Sequence, residues 1–177
     1  YRQLIIRDHY DENGAFRLFQ NADLNGISEK VLGKLTLIPD RRVWAGKRVG
    51  FGDDSIVRGK ESERITQQAY DLGASEVHWF SGYPKVMYSC HLGISMRTDG
   101  ELIASRNQGD EGAIANEIKA TSVHYISNEG FVRAGILSGE IRRPSDIREI
   151  FFANGGCGGC VTGLHPIGRD GKAYAPA

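Results

Sequence analysis

The run Val49-Gly-Phe-Gly-Asp-Asp-Ser-Ile-Val-Arg-Gly-Lys-Glu-Ser62 constrains this chain more than any other stretch. It reads as a buried strand that ends in two carboxylates, then a short Ser/Gly loop, then a helix opening at about Lys60. Successive backbone N–H groups in such a loop, followed by the positive end of a helix dipole, form a cradle for a phosphate dianion. The adjacent acids Asp53 and Asp54 can accept hydrogen bonds from two vicinal hydroxyls. A phosphate and a diol at that spacing describe a ribose 5-phosphate. The plainer alternative is an Asp helix cap after an ordinary parallel strand.

Downstream of the loop, the chain has the pattern of a β-α-β unit. Ile65, Ala69 and Leu72 recur at helical spacing within Glu61–Leu72, and Gly73 is placed to end that helix. Glu76–Phe80 reads as the next strand, after Arg48–Gly52. Further strands are expected at Leu4–Ile6, Val31–Ile38 and Val123–Ile126, with one helical turn near Pro39–Ala45 and a helix over Glu111–Lys119. Thr98-Asp-Gly-Glu101 has the spacing of a capping box and predicts a helix through Leu102, Ile103 and Ala104. Asn128 is read as the cap of a helix through Phe131, Val132 and Ile136, and Ser145 as the cap of another to about Phe152. Asp8–Asn25 is polar, with the composition of a long loop of the kind that carries function or stays disordered. Trp44, Trp79, His78 and His124 are expected to be structural.

A chain of 177 residues suffices for one domain with a sizeable core, or for part of a larger one. Zero formal net charge with 40% hydrophobic residues describes a soluble globular protein. That charge balance argues against a nucleic-acid surface driven by bulk electrostatics, so an anionic ligand would be held by a local site. No apolar run is long enough for a membrane span and no signal-peptide pattern is present, so a cytoplasmic location is expected. The opening Tyr1-Arg-Gln-Leu-Ile-Ile-Arg7 has no Met and runs almost directly into a strand pattern. It reads as the start of a fragment or processed chain.

Only three cysteines occur: Cys90, Cys157 and Cys160. A lone Cys-x-x-Cys is a weak signal, shared by zinc sites, redox disulfides and iron–sulfur ligands. Here it lies within Gly155-Gly-Cys-Gly-Gly-Cys-Val-Thr-Gly163, where small residues let the backbone wrap closely around a cluster. A zinc site using the thiols with His91 or His165 stays open, as do free buried thiols or a disulfide. An odd count argues against a secreted disulfide framework.

Asp53-Asp-Ser-Ile-Val-Arg-Gly59 resembles the phosphoribosyl-pyrophosphate (PRPP) loop of type I phosphoribosyltransferases. Its Ser-Ile-Val-Arg-Gly variant resembles that of the glutamine-dependent amidophosphoribosyltransferases of purine synthesis. The [4Fe–4S] class of that family has one ligand Cys in a Pro-x-Cys-x-x-Gly-Ile-like context and a later Cys-x-x-Cys followed by Thr-Gly. This chain has Tyr88-Ser-Cys90-His-Leu-Gly-Ile94 and Cys157-Gly-Gly-Cys160-Val-Thr162-Gly163. Glu101-Leu-Ile-Ala104 and Tyr125-Ile-Ser127 fit the family in the same order.

The resemblance implies an α/β fold, the Rossmann-like parallel sheet of a type I phosphoribosyltransferase, here incomplete. Residues 1–82 would be a partial core with the PRPP loop, and 83–177 the C-terminal part of the same domain with the cysteine ligands. Asp53 and Asp54 would hold the ribose hydroxyls as the catalytic residues and take part in binding Mg²⁺. Ser55, Ile56, Val57, Arg58, Gly59 and Ser62 would hold the 5-phosphate. Tyr10 would reach the substrate from a closing loop, where Arg7-Asp-His-Tyr10 replaces a Lys-Asn-Arg-Tyr-like run and Arg17 is a further candidate. Cys90, Cys157 and Cys160 would be three ligands of a [4Fe–4S] cluster whose fourth lies upstream.

The activity implied is attack of ammonia, from a separate glutaminase domain, on C1 of PRPP. Pyrophosphate with its Mg²⁺ leaves, and 5-phosphoribosylamine forms. The parent would be a homo-oligomer, and this segment alone would be inactive. A non-catalytic PRPP-binding regulator and another type I phosphoribosyltransferase are the alternatives. The three cysteines weigh against the first, and Ser55-Ile-Val-Arg58 with the cysteine region against the second.

Overall fold

A computed structural model describes residues 4–7, 35–92, 95–137, 157–168 and 171. Its centre is a parallel sheet of β3 (Arg48–Asp53), β4 (Glu76–Ser81) and β5 (Ser122–Tyr125), in that order. The register pairs Phe51 with Trp79 and Asp53 with Ser81, then Trp79 with Val123 and Ser81 with Tyr125. A separate antiparallel pair joins β1 (Ile5–Arg7) to β2 (Leu35–Leu37), with Ile5 opposite Leu37.

Side chains alternate across the sheet with period two, so Val77, Trp79, Phe51 and Val123 share one buried face. The other face carries Gly50, Gly52, His78 and Phe80, the last 51% exposed. Helix α2 (Lys60–Asp71) turns Ile65, Thr66 and Ala69 onto the buried face, at the spacing of one helical stripe. Thr66 joins the apolar core because its hydroxyl is satisfied twice: it donates to the Ser62 carbonyl at 2.7 Å and accepts the Trp79 indole N–H at 2.8 Å. Trp44, at the end of the single-turn α1 (Arg41–Trp44), donates to the Ile38 carbonyl at 2.8 Å. The rings of Trp44, Phe51 and Trp79 stack in series at 6.3 and 5.0 Å. Both tryptophans are core residues, as the sequence predicts.

Gly73, with φ +97°, takes the left-handed position just past α2, where its N–H bonds the Tyr70 carbonyl at 2.8 Å. Between β4 and β5 lie α3 (Ile103–Arg106) and α4 (Glu111–Glu117), which bring Ile103, Ile114 and Ile118 into the same core. Burying each of these isoleucines contributes about 1.5–3 kcal/mol. After β5 comes α5 (Asn128–Leu137), and among the described residues a further short helix, α6, spans Gly159–Thr162.

Two expectations need correction. Thr98-Asp-Gly-Glu101 forms a single 3-10 turn (Asp99–Glu101), and Leu102, with ψ 120°, breaks the chain before α3. The capping box does not form as a cap because the Glu101 carboxylate is bound by Arg58 at 2.8 Å, with the Thr98 hydroxyl on its other oxygen at 3.3 Å. The cap of α5 is Ser127, whose hydroxyl accepts the Gly130 N–H at 3.0 Å, while Asn128 is the first helical residue. The strand expected over Val31–Ile38 is seen at Leu35–Leu37, its first four positions lying outside the described residues. The loop at 8–25 and the helix after Ser145 also lie outside them. No described helix is long and apolar enough to cross a membrane.

Candidate functional site

The carboxyl end of β3 puts Asp53 and Asp54 where the strand gives way to the loop. One Asp53 oxygen accepts the Asp54 N–H at 2.9 Å, and the Ser55 hydroxyl donates to Asp54 Oδ1 at 3.3 Å. The loop start is tied to β4 by the Gly82 N–H, which donates to the Asp53 carbonyl at 2.8 Å. Burial and then the neighbouring Asp54 charge push the Asp53 carboxyl above its ordinary value. A carboxylate in that position gains from any hydroxyl or cation brought to it.

Beyond the pair, Ile56 is 2% exposed and anchors the loop in the core. Among the described residues, the backbone N–H groups of Ser55, Ile56, Val57 and Gly59 have no protein acceptor. Gly59 caps α2 with φ +80° and no side-chain bond, so the helix enters with its first amides open. Ser62, in the first turn, is only 3% exposed. This is the geometry of an anion cradle: uncapped amides, a helix N-terminus and an acid pair alongside.

The back of the loop is clamped. The Ile103 N–H donates to the Val57 carbonyl at 2.9 Å. Arg58 turns its guanidinium to the Ser95 carbonyl (2.7 Å) and Glu101 (2.8 Å), a pair only 14% and 18% exposed. Arg106 donates to the Arg58 carbonyl at 2.9 Å and is paired with Glu117. Lys60 and Glu61 serve α2 itself, Lys60 facing Glu63 at 3.5 Å and Glu61 pairing with Arg64 at 2.6 Å.

Hydrogen bonds from Arg58 and from Arg106 hold Glu101 and Glu117 below the usual carboxylate range. A carboxylate whose folded pKa is lowered contributes stability in full above its unfolded value, about 4.3, and loses it as pH falls through the folded one. Thermal melting should therefore drop on acidification below that value, and Glu101→Gln should flatten the drop. An unchanged pH slope in that variant would show the Arg58 pair to be thermodynamically silent.

The cysteines occupy the next layer. The Met87 and Tyr88 N–H groups donate to the Cys160 carbonyl at 2.8 and 3.0 Å, so the segment before Cys90 runs against α6. Cys90 and Cys160 both pack against the buried cluster of Val86, Met96 and Leu102. The Leu92 N–H donates to Cys90 Sγ at 3.3 Å, and the Tyr83 hydroxyl lies 3.7 Å from Cys160 Sγ. Burial, offset in part by that tyrosine, raises the Cys160 thiol above its ordinary value, with the charges of Cys157 and Cys90 adding to the rise. All three thiols are free, Cys157 being the exposed one. Among the described residues, no group of three or more His, Cys, Asp or Glu is gathered tightly enough to hold a metal ion.

His91 and His165, the candidate nitrogen ligands, stack on each other with ring centroids 4.4 Å apart. They line a cavity of about 310 Å³ with Tyr88, Ser89 and Asp99. His91 Nε2 is engaged by the Ile167 carbonyl at 2.6 Å, and Gly159 lies so close beneath the His165 ring that a Cβ would come within 2.6 Å of its Cγ. Tyr10 and Arg17 lie outside the described residues.

No model of a known protein family matches the chain. Curated proteins do. An amidophosphoribosyltransferase of Methanocaldococcus jannaschii is 41% identical over 133 residues, 75% of this chain and 24% of that protein. One from Synechocystis is 32% identical over 167 residues, 94% of this chain and 29% of that protein. Among solved structures, the glutamine PRPP amidotransferase of B. subtilis, complexed with ADP and GMP, superposes with a TM-score of 0.67 at 31% identity. That match covers 98% of this chain and 34% of the other. The chain belongs to the amidophosphoribosyltransferase family.

It spans about a quarter of the length of the curated amidophosphoribosyltransferases it matches. The fold is the α/β parallel-sheet fold of the solved relative. Within this amidophosphoribosyltransferase segment, sequence reasoning missed Arg106, Glu117 and Tyr83. Neither charged residue stands in a motif, and their meeting across 11 positions depends on how α3 and α4 pack. Tyr83 carries no local signal for the sulfur that lies 77 positions away.

Proposed function

We propose that this segment forms the ribose 5-phosphate half of a PRPP site. The parent would be an enzyme that transfers glutamine-derived ammonia to C1 of PRPP, the first step of purine synthesis. One observation carries the reading: an acid pair at the end of β3 is followed by four loop amides with no acceptor among the described residues, and by an uncapped helix N-terminus. Asp53 and Asp54 accept the ribose hydroxyls, and the Ser55–Gly59 amides take the 5-phosphate. Ammonia, supplied by a glutaminase domain, donates its lone pair to C1. The C1–O bond breaks with its electrons going to pyrophosphate, and the nitrogen loses a proton to give 5-phosphoribosylamine. Side chains have little to do beyond positioning and stabilising an oxocarbenium-like centre.

Mg²⁺ suits this site. Two adjacent carboxylates at the open end of β3 would fit such a cation, which would supply positive charge to the pyrophosphate. The thiols suit a [4Fe–4S] cluster in their chemistry: Cys90 and Cys160, both half-buried, pack on an apolar cluster, and one sulfur already accepts a backbone N–H. Cys90, Cys157 and Cys160 would bind it with a fourth ligand from elsewhere in the parent, which we take to be a cytoplasmic homo-oligomer.

Asp53→Ala in the full-length protein tests the site. Leaving a ribose hydroxyl unpaired costs about 1–3 kcal/mol, so PRPP should bind roughly 5- to 150-fold more weakly. Unchanged PRPP affinity and turnover would remove Asp53 from the site.

A further inference from the structure

The amides of the phosphate loop are aimed from behind. In a trans peptide the carbonyl of one residue and the N–H of the next point in opposite directions. Arg106 holds the Arg58 carbonyl at 2.9 Å, so the Gly59 N–H must leave from the opposite side of the loop. There it meets no acceptor among the described residues. The Ile103 N–H holds the Val57 carbonyl at 2.9 Å and so fixes the preceding peptide, the one that carries the Arg58 N–H.

Arg106 is itself held on three sides. Its Nε donates to Glu117 at 2.9 Å, its Nη1 donates to the Glu101 carbonyl at 2.9 Å, and its Nη2 serves both Glu117 and Arg58. Asn107 locks Glu117 in turn with a bond of 2.6 Å. A guanidinium spreads five donors over the three nitrogens of a planar fork, whereas an ammonium has its three donors on a single nitrogen and cannot span acceptors placed for Nε, Nη1 and Nη2. Arg58 braces the same loop from its side chain, through Ser95 and Glu101.

We propose that Arg106 is a positioning residue: held by Glu117, it clamps the Arg58 carbonyl and so aims the Gly59 amide at the 5-phosphate. Neither Arg106 nor Glu117 contacts the ligand. The inference rests on the phosphate-cradle reading above and adds the device that orients the cradle.

The test is equilibrium binding of ribose 5-phosphate to the full-length protein, with melting temperature and PRPP kinetics measured alongside. Arg106→Lys keeps the charge and loses the fork, while Glu117→Gln keeps Arg106 and loosens its seat. Both should weaken ribose 5-phosphate roughly tenfold or more, as for a lost charge-assisted hydrogen bond. The KM for PRPP should rise by a similar factor, with kcat less affected because C1 is remote from the 5-phosphate. Wild-type protein that fails to bind ribose 5-phosphate would defeat the cradle itself. Wild-type binding with unchanged affinity in a folded Arg106→Lys would defeat the positioning role alone. If Arg106→Lys does not fold, the same comparison in Glu117→Gln decides.

Discussion

Gly59→Val is expected to destabilise the ligand-free protein by about 2–5 kcal/mol, before any phosphate is offered to it. Two independent costs add. Gly59 has φ +80°, where a β-branched residue crowds its own backbone. Its missing Cβ would also fall within the Ile103 Cδ1 methyl and 3.1 Å from Ile118 Cγ2, both on fully buried core side chains. Gly59→Ala already adds the offending atom, so it should show most of the loss. Pairing Gly59→Ala with Ile103→Val removes the obstructing methyl and should recover part of the packing cost while the backbone cost stays. Thermal unfolding without ligand decides the matter, and a Gly59→Val variant melting with the wild type would refute it.

That result bears on how the sequence is read. A glycine in a phosphate loop suggests close approach of backbone to ligand, and Gly59 invites that explanation. The structure adds another requirement from behind: Gly59 is small because α3 sits against it. Local pattern reveals that a glycine is needed; only packing reveals what it touches.

The same division runs through the fold. The span Arg48–Ser81 is legible because every signal in it is local: period-two alternation in the strands, a helical stripe at Ile65 and Ala69, and a glycine past the helix end. Glu101 misleads because a side chain at capping-box spacing is claimed by Arg58, 43 positions earlier. Ser127 and Asn128 are both good caps, and nothing in composition separates neighbours of equal propensity. The acid pair stands out by its placement at a strand end. Arg106 does not, since its role exists only once α3, α4 and the loop are assembled.

The approach of Cys90 to Cys160 belongs with the non-local features. The backbone bonds from Met87 and Tyr88 to Cys160 join segments that no periodicity connects, and family resemblance is the only guide to them. Those bonds carry the last expectation. Full-length protein purified without oxygen should be brown, with iron and acid-labile sulfide near about four each per chain. Thiolate-rich ligation suits an iron–sulfur cluster, and the Nε2 of the neighbouring His91 is already bonded to the Ile167 carbonyl at 2.6 Å. Cys90→Ser and Cys160→Ser should each lower bound iron and sulfide together. Removing the iron should make the region melt earlier, because a bound metal group contributes its binding energy to the fold. Stoichiometric zinc without sulfide would overturn the cluster. So would full iron and sulfide in a Cys90→Ser protein, because Cys90 would then not be a ligand.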